Sequence, residues 1–280
     1  YTLSLHDALP ISVPSVDGRG RTTLTGTDPD RLAREFLCGR LEEAGLDVRV
    51  DAVGNVAGRW TPPSADPDAA PVATGSHLDS VPEGGIFDGP LGVYAGLEAV
   101  RAMQDGGVEP TCPVEVVSFT EEEGQRFGGG LLGSAVATGE MTAEEALGIE
   151  DPNGLSLGDA LADIGFAGEG RLDAGDWDAW IELHVEQSER LVEAAASAGV
   201  VTSIVGLSRC DVEIVGEADH AGTTGMEGRA DALVAAGEFV AAVERAAADR
   251  WRACETAVAT VGKLDVVPNA PNVIPGRVSL

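Results

Sequence analysis

Between residues 72 and 185 short apolar runs of strand character alternate with longer runs of helical spacing, and this alternation constrains the fold more than any other feature. Val72 to Gly75, Val114 to Thr120 and Trp180 to Val185 read as strands; Leu91 to Met103 and Leu131 to Thr138 read as helices. The order predicts an α/β domain, a sheet with helices on both faces. Sheets of this kind carry their chemistry just beyond the strand C-terminal ends.

The flanking segments extend the pattern. From Asp28 the chain reads as a helix: Asp28 can cap it, Pro29 suits the first turn, Leu32, Phe36 and Leu41 recur at helical spacing, and Gly45 can end it. A strand pair comes next at Val48 to Val50 and Asn55 to Arg59, then a polar loop from Thr61 to Ala70. Near Ser208 the character changes. Cys210 to Val215 reads as a strand, Arg229 to Ala246 as an Ala-rich helix and Thr256 to Val261 as a strand, the first half of a second α/β unit. Arg277 to Leu280 reads as a further strand whose ladder groups would be left unpaired, which predicts that residues are missing after it. The expected division is therefore a tail at 1–12, a domain over 13–207 and a partial one over 208–280. Tyr1 to Ser12 lacks an initiator Met, fits poorly with the rest of the chain and reads as non-native.

Composition excludes several functions. Asp and Glu number 47 against 18 Lys and Arg, a net charge of -29, and Lys263 is the only lysine. A field of that sign repels nucleic acid and anionic membranes, and its even spread along the chain suits a salt-adapted surface. No apolar run approaches the roughly 20 residues that cross a bilayer, and no basic-then-apolar leader opens the chain. Cys38, Cys112, Cys210 and Cys254 lie far apart without a CxxC pair, so a zinc knuckle or disulfide framework is disfavoured and a reduced cytoplasm is expected.

Outside the tail, which holds His6, the histidines are His77, His184 and His220, and each sits in a polar motif. His77 ends a strand in Gly-Ser-His-Leu-Asp-Ser, with Asp79 beside it and Asp88 opening the next helix across a Gly-rich loop. Glu121, Glu122 and Glu123 end the following strand. Glu121 suits a solvated face, whereas Glu122 and Glu123 would repel each other unless a cation or a shared proton offset them. One of the pair would ligate and its neighbour would act as base. Alternation over Trp180 to Gln187 places Glu182, His184 and Glu186 on one strand face. With His77, Asp88 and Glu123, His184 completes a His, carboxylate, carboxylate, His set suited to divalent metal.

The segments GSHLDS, GIFDGPLGV, FTEEEGQRF, ELHVEQS, DHAGTTGMEGRADAL and VPNAPNVIPG, in this order over about Leu32 to Leu280, resemble the motifs of a known family. It is the N-carbamoyl-L-amino-acid hydrolase and allantoate amidohydrolase family, the amidase and hydantoinase/carbamoylase group within the aminoacylase-like zinc peptidases. The resemblance implies a mixed-sheet catalytic domain with two divalent ions, zinc first with manganese, cobalt or nickel open, interrupted by a lid through which two copies dimerise. It implies that His77 and His184 each bind one metal or share one, that Asp88 bridges, that Glu123 binds the second metal and that Glu122 is the general base. His220 would reach the partner's site to steady an oxyanion, Gln187 and Asn272 would hold substrate, and Arg229 would serve substrate or lid. The sequence departs at Gly225, where the family usually has Pro, and Ser188, where it usually has Gly; the family's remaining histidine ligand and its anion-binding arginine would lie beyond Leu280. The implied substrate is an N-carbamoyl amino acid or allantoate. Rival readings are an aminopeptidase, dipeptidase or N-acyl amino acid deacylase on the same scaffold, or a non-catalytic metal-binding, dimerising fragment. A serine hydrolase is disfavoured, since no GxSxG elbow accompanies a suitable histidine.

Overall fold

The computed structural model describes residues 20–254 and 256–280, so the tail at 1–12 lies outside the described residues. The chain divides into two compact units, Tyr1–Ala195 and Ala196–Leu280.

The first unit holds helices α1 (Asp28–Glu43), α2 (Pro90–Gly106), α3 (Leu132–Thr138), α4 (Ala143–Leu147), α5 (Leu157–Asp163) and α6 (Arg190–Glu193), and strands β1 (Asp47–Val50), β2 (Val56–Trp60), β3 (Val72–His77), β4 (Val114–Phe119) and β5 (Ala179–Ile181). The strands form one mixed sheet in the order β1-β2-β4-β3-β5. β1, β2 and β4 pair antiparallel, while β3 runs parallel to both β4 and β5. The register sets His77 opposite Phe119, so the C-terminal ends of the central parallel strands open at one edge. That edge carries the chemistry.

One sheet face packs on helices. Leu37 and Leu41 of α1 and Val93, Leu97 and Val100 of α2 close over Val56, Val114 and Val116 in the main core. The alternate residues Ala57, Ala73 and Val117 form a second, smaller cluster with Leu172 against Phe119, Trp177 and Trp180. The mixed α/β class is as expected. On this second face Trp177 directly follows a short 3-10 helix, Ala174–Asp176.

Helix α1 corrects the reading of its inner face. Leu32 is 52% exposed, and the buried stripe is Asp30, Ala33, Arg34, Leu37 and Leu41. Asp30 and Arg34 pair at 2.8 Å inside the core, Asp30 accepts the Gly26 amide, and Arg34 donates to the Gly54 carbonyl and Thr120 hydroxyl. A buried ion pair with all these partners occupies helix positions that an apolar periodicity cannot credit. Thr27, not Asp28, is the N-cap residue.

β5 is shorter than expected. The ladder stops at Ile181, and from Glu182 the chain leaves the sheet, so Glu182, His184 and Glu186 do not share a strand face. Glu186 turns back to accept the amides of Arg190 and Leu191, which caps α6.

The second unit holds β6 (Glu213–Val215), α7 (Ala232–Cys254), β7 (Asp265–Val267) and β8 (Arg277–Ser279). β8 lies at the centre of an antiparallel sheet, order β6-β8-β7. Two details are corrected. The ladder groups of the last strand are paired on both sides, and residues 256–261, expected as a strand, lie in none. Asp231 starts α7 by accepting the amides of Leu233 and Val234. Among the described residues no helix is long and apolar enough to cross a membrane.

Candidate metal centre

His77 is delivered by the last position of β3 and is buried. Its Nδ1 lies 3.1 Å from the Asp79 carbonyl and 3.5 Å from Asp79 Oδ1, so this nitrogen donates, leaving the lone pair of Nε2 for the site. Nε2 stands 3.5 Å from Glu122 Oε2. Asp79 is buried behind the ring and accepts the backbone amides of Glu122 at 3.2 Å and Glu123 at 3.0 Å. One carboxylate thus orients the imidazole and the loop that bears two candidate acids.

Glu121 is not the solvated acid expected. It is 1% exposed at φ 52°, and its Oε1 accepts the amides of Arg126 at 2.8 Å and Phe127 at 2.7 Å. These charge-assisted bonds fold the chain back after β4 and turn Glu122 and Glu123 toward His77. Among the described residues His77, Glu122 and Glu123 are the one group of three or more such side chains whose ligand atoms lie within 4.8 Å of one another.

A second pairing lies in the same unit. Asp88 Oδ1 is 3.5 Å from His184 Nε2, and Asp88 Oδ2 accepts from Gln187 Nε2 at 2.7 Å. His184 Nδ1 is 2.7 Å from the Val185 carbonyl, so here too the outer nitrogen donates and Nε2 is free. Gly89 turns the chain from Asp88 into α2 at φ 79°; a Cβ there would stand 2.6 Å from the His77 carbonyl oxygen, so only glycine allows the approach. Ser76 donates to Glu182 at 2.7 Å, joining the residue before His77 to the segment that carries His184.

The electrostatics favour a cation. Burial raises the pKa of both Glu122 and Glu123, and neighbouring carboxylates add to the effect although His77 opposes it. Burial presses the His77 imidazole down, but its hydrogen bond to Asp79 and the surrounding acids outweigh this and bring it to about 8. Asp79 resists its own burial through the same ring and falls below the ordinary range. The donor set fits a divalent ion on geometry as well. Two N or O ligands of one tetrahedral metal, each at about 2.0–2.2 Å, stand about 3.4 Å apart, close to the 3.5 Å between His184 Nε2 and Asp88 Oδ1. Nitrogen and oxygen donors together suit zinc, manganese, cobalt or nickel.

The remaining expected site residues lie in the second unit. His220 forms a β-bridge with Val273, its Nδ1 accepts the Gly222 amide at 3.0 Å, and the Ala221 amide bonds the Asn272 carbonyl at 3.0 Å. Arg229 donates to the carbonyls of Ala221 at 2.6 Å and Thr224 at 3.0 Å, holding the turn that displays His220. Each unit thus gathers its own subset: His77, Asp88, Glu122, Glu123, His184 and Gln187 in the first, His220, Arg229 and Asn272 in the second. Ser76 carried no signal of its own, because its role depends on a partner 106 residues along the chain.

A mixed sheet that gathers imidazoles and carboxylates at its parallel strand ends defines an α/β protein with a candidate divalent-metal site. The chain belongs to peptidase family M20/M25/M40, whose family model matches residues 73–268. Its relatives include the N-carbamoyl-L-amino acid amidohydrolase of Geobacillus stearothermophilus, 43% identical over 92% of this chain, and the ureidoglycolate hydrolase of Arabidopsis thaliana, 37% identical over 91%. The chain spans 63% of the first relative and 55% of the second. Among solved structures, an amidase of the hydantoinase/carbamoylase family from Burkholderia vietnamiensis matches with a TM-score of 0.83 at 38% identity, over 98% of this chain and 66% of that one.

Proposed function

We propose that the first unit carries most of the catalytic site of a metal-dependent amidohydrolase that cleaves the ureido or amide C–N bond of an N-carbamoyl-L-amino acid or allantoate-like ureido acid, releasing ammonia. The convergence of His77, Glu122 and Glu123 at one strand edge, with Asp88 and His184 paired in the same unit, carries the reading. His77, His184, Asp88 and Glu123 would hold two divalent ions, zinc first. Bound there, such ions supply Lewis acidity and lower the pKa of a water toward neutrality. Glu122 lies 3.5 Å from His77 Nε2 and is half-exposed, so it can take a proton from a water at the site and return it to the leaving nitrogen. Gln187, which donates to Asp88, would exchange that bond for one to the substrate amide. His220 would offset charge on the carbonyl oxygen from a second copy's lid, with Asn272 holding substrate and Arg229 holding the turn that displays His220.

The second unit, on this reading, is a lid through which two copies associate; its exposed Val215, Val234 and Val258 support that role. Four free cysteines support a cytoplasmic setting.

The test is ammonia release by the chain extended to its relatives' length, with N-carbamoyl amino acids, allantoate, ureidopropionate and dipeptides side by side. Release from ureido compounds that chelator abolishes supports the proposal; peptide cleavage without ammonia, or turnover indifferent to chelator, refutes it. Glu122→Gln should keep metal and lose turnover.

A further inference from the structure

We propose that Arg21 is a positioning residue of the metal centre, its single guanidinium fastening the loop behind His77 to the loop that presents Asp88. The inference rests on the two-metal reading above and concerns what holds its two halves at a fixed separation.

Arg21 is 2% exposed. Its Nη1 donates to the Leu78 carbonyl at 2.8 Å, and its Nη2 donates to the carbonyls of Asp79 at 2.6 Å and Asp88 at 3.1 Å. Leu78 and Asp79 directly follow His77, and Asp88 faces His184. The backbone of Arg21 adds a clamp midway between them: its amide bonds the Gly84 carbonyl at 3.0 Å and its carbonyl accepts the Gly84 amide at 2.9 Å. Thr23 continues the lacing, its carbonyl accepting the Ser80 amide at 2.9 Å and its amide bonding the Ser80 hydroxyl at 2.9 Å. The stretch from Leu78 to Gly89 contains no helix or extended strand, so its order comes from such contacts.

Every side-chain bond of Arg21 goes to backbone on either side of the site, which is what a spacer between two loops requires. The planar fork matters here. A lysine carries the same charge on a flexible stem and cannot hold three carbonyls in fixed directions. The charge also has a use: burial lowers the Arg21 pKa, but Asp79, Glu123 and Asp88 all act to keep it cationic, so it offsets the acids that crowd the site. Its Nε is buried without a hydrogen-bond partner, so replacement by methionine removes one desolvation cost while taking the guanidinium donor from the Leu78 and Asp88 carbonyls; the Asp79 carbonyl keeps His77 Nδ1.

The experiment compares Arg21→Lys and Arg21→Met with the unaltered 280-residue chain. Co2+ is titrated into metal-free protein by visible absorption, and amide exchange is followed across 78–89 and across β4. We expect Co2+ binding at least about tenfold weaker in both variants, the size typical of losing a partner behind a metal ligand. Amides of 78–89 should exchange faster while those of β4 stay as protected as before. Arg21→Lys keeps the charge and decides the matter if Arg21→Met does not fold. Co2+ affinity in Arg21→Lys within about twofold of the unaltered chain, or protection lost equally from β4, overturns the role of Arg21. An unaltered chain that binds no Co2+ overturns the two-metal reading and this role with it.

Discussion

The two units place their apolar residues in opposite ways. In the first, α1, α2, α3 and α5 close one continuous core over the sheet, with Leu37, Leu97, Leu132 and Leu161 fully buried. In the second, the apolar cluster has three buried members, Ala232, Ala236 and Val278, and every strand is three residues long. Val200, Ile204 and Leu207 are about nine-tenths exposed. A metal centre needs ligands whose rotamers are locked by packing and by hydrogen bonds from behind, and the first unit supplies both. The second leaves much of its apolar surface exposed, as the proposed lid role would require.

The largest effect separates the units by metal. His77→Ala should weaken Co2+ binding by more than about a hundredfold, whereas His220→Ala should change it by less than about twofold, both read by calorimetric titration of this chain. Equal losses would abolish the contrast. Stability comes next. Leu97→Ala, in the core of the first unit, should cost about 2–5 kcal/mol in urea unfolding, and Val234→Ala, exposed on α7, less than about 0.5 kcal/mol. Comparable costs would show that the second unit packs as tightly as the first.

Proteolysis sharpens the comparison further. A broad-specificity protease at low ratio should cut first within 196–212, which has no helix or strand and is mostly exposed; a first cut inside α1 or α2, seen by mass spectrometry, would reverse the ranking. The smallest effect is chemical. Burial pushes the Cys38 thiol up to about 11, while hydrogen bonds at Thr256 hold the exposed Cys254 below its usual range. At pH 8 Cys38 remains a thiol and Cys254 is more fully a thiolate, so a thiol-reactive probe should label Cys254 at least about tenfold faster. Equal rates would mean that α1 opens readily.

Much of the first unit was legible in the sequence because strand and helix periods are local and its motifs sit where those periods end. β3, α2 and β4 fall within a few residues of their expected bounds, and His77, Glu122 and Glu123 do come together. Local pattern misleads where a long-range partner decides the outcome. Glu121 looked like one more exposed acid, yet two amides across a turn bury it. Leu32 looked inward-facing, yet a buried Asp30–Arg34 pair occupies the inner stripe. Trp180 to Val185 alternates along its whole length, yet only Ala179–Ile181 meet β3.

Residue types and local order were enough to determine that this chain builds an α/β sheet and brings imidazole and carboxylate to its edge, because side-chain period and donor chemistry are properties of short segments. Which of those groups face one another was decided only by the tertiary structure. Asp79 behind His77, Arg21 across two loops and Ser76 against Glu182 are contacts between residues remote in the chain or set by the fold of a loop, and they exist only once strand pairing has fixed the backbone around them.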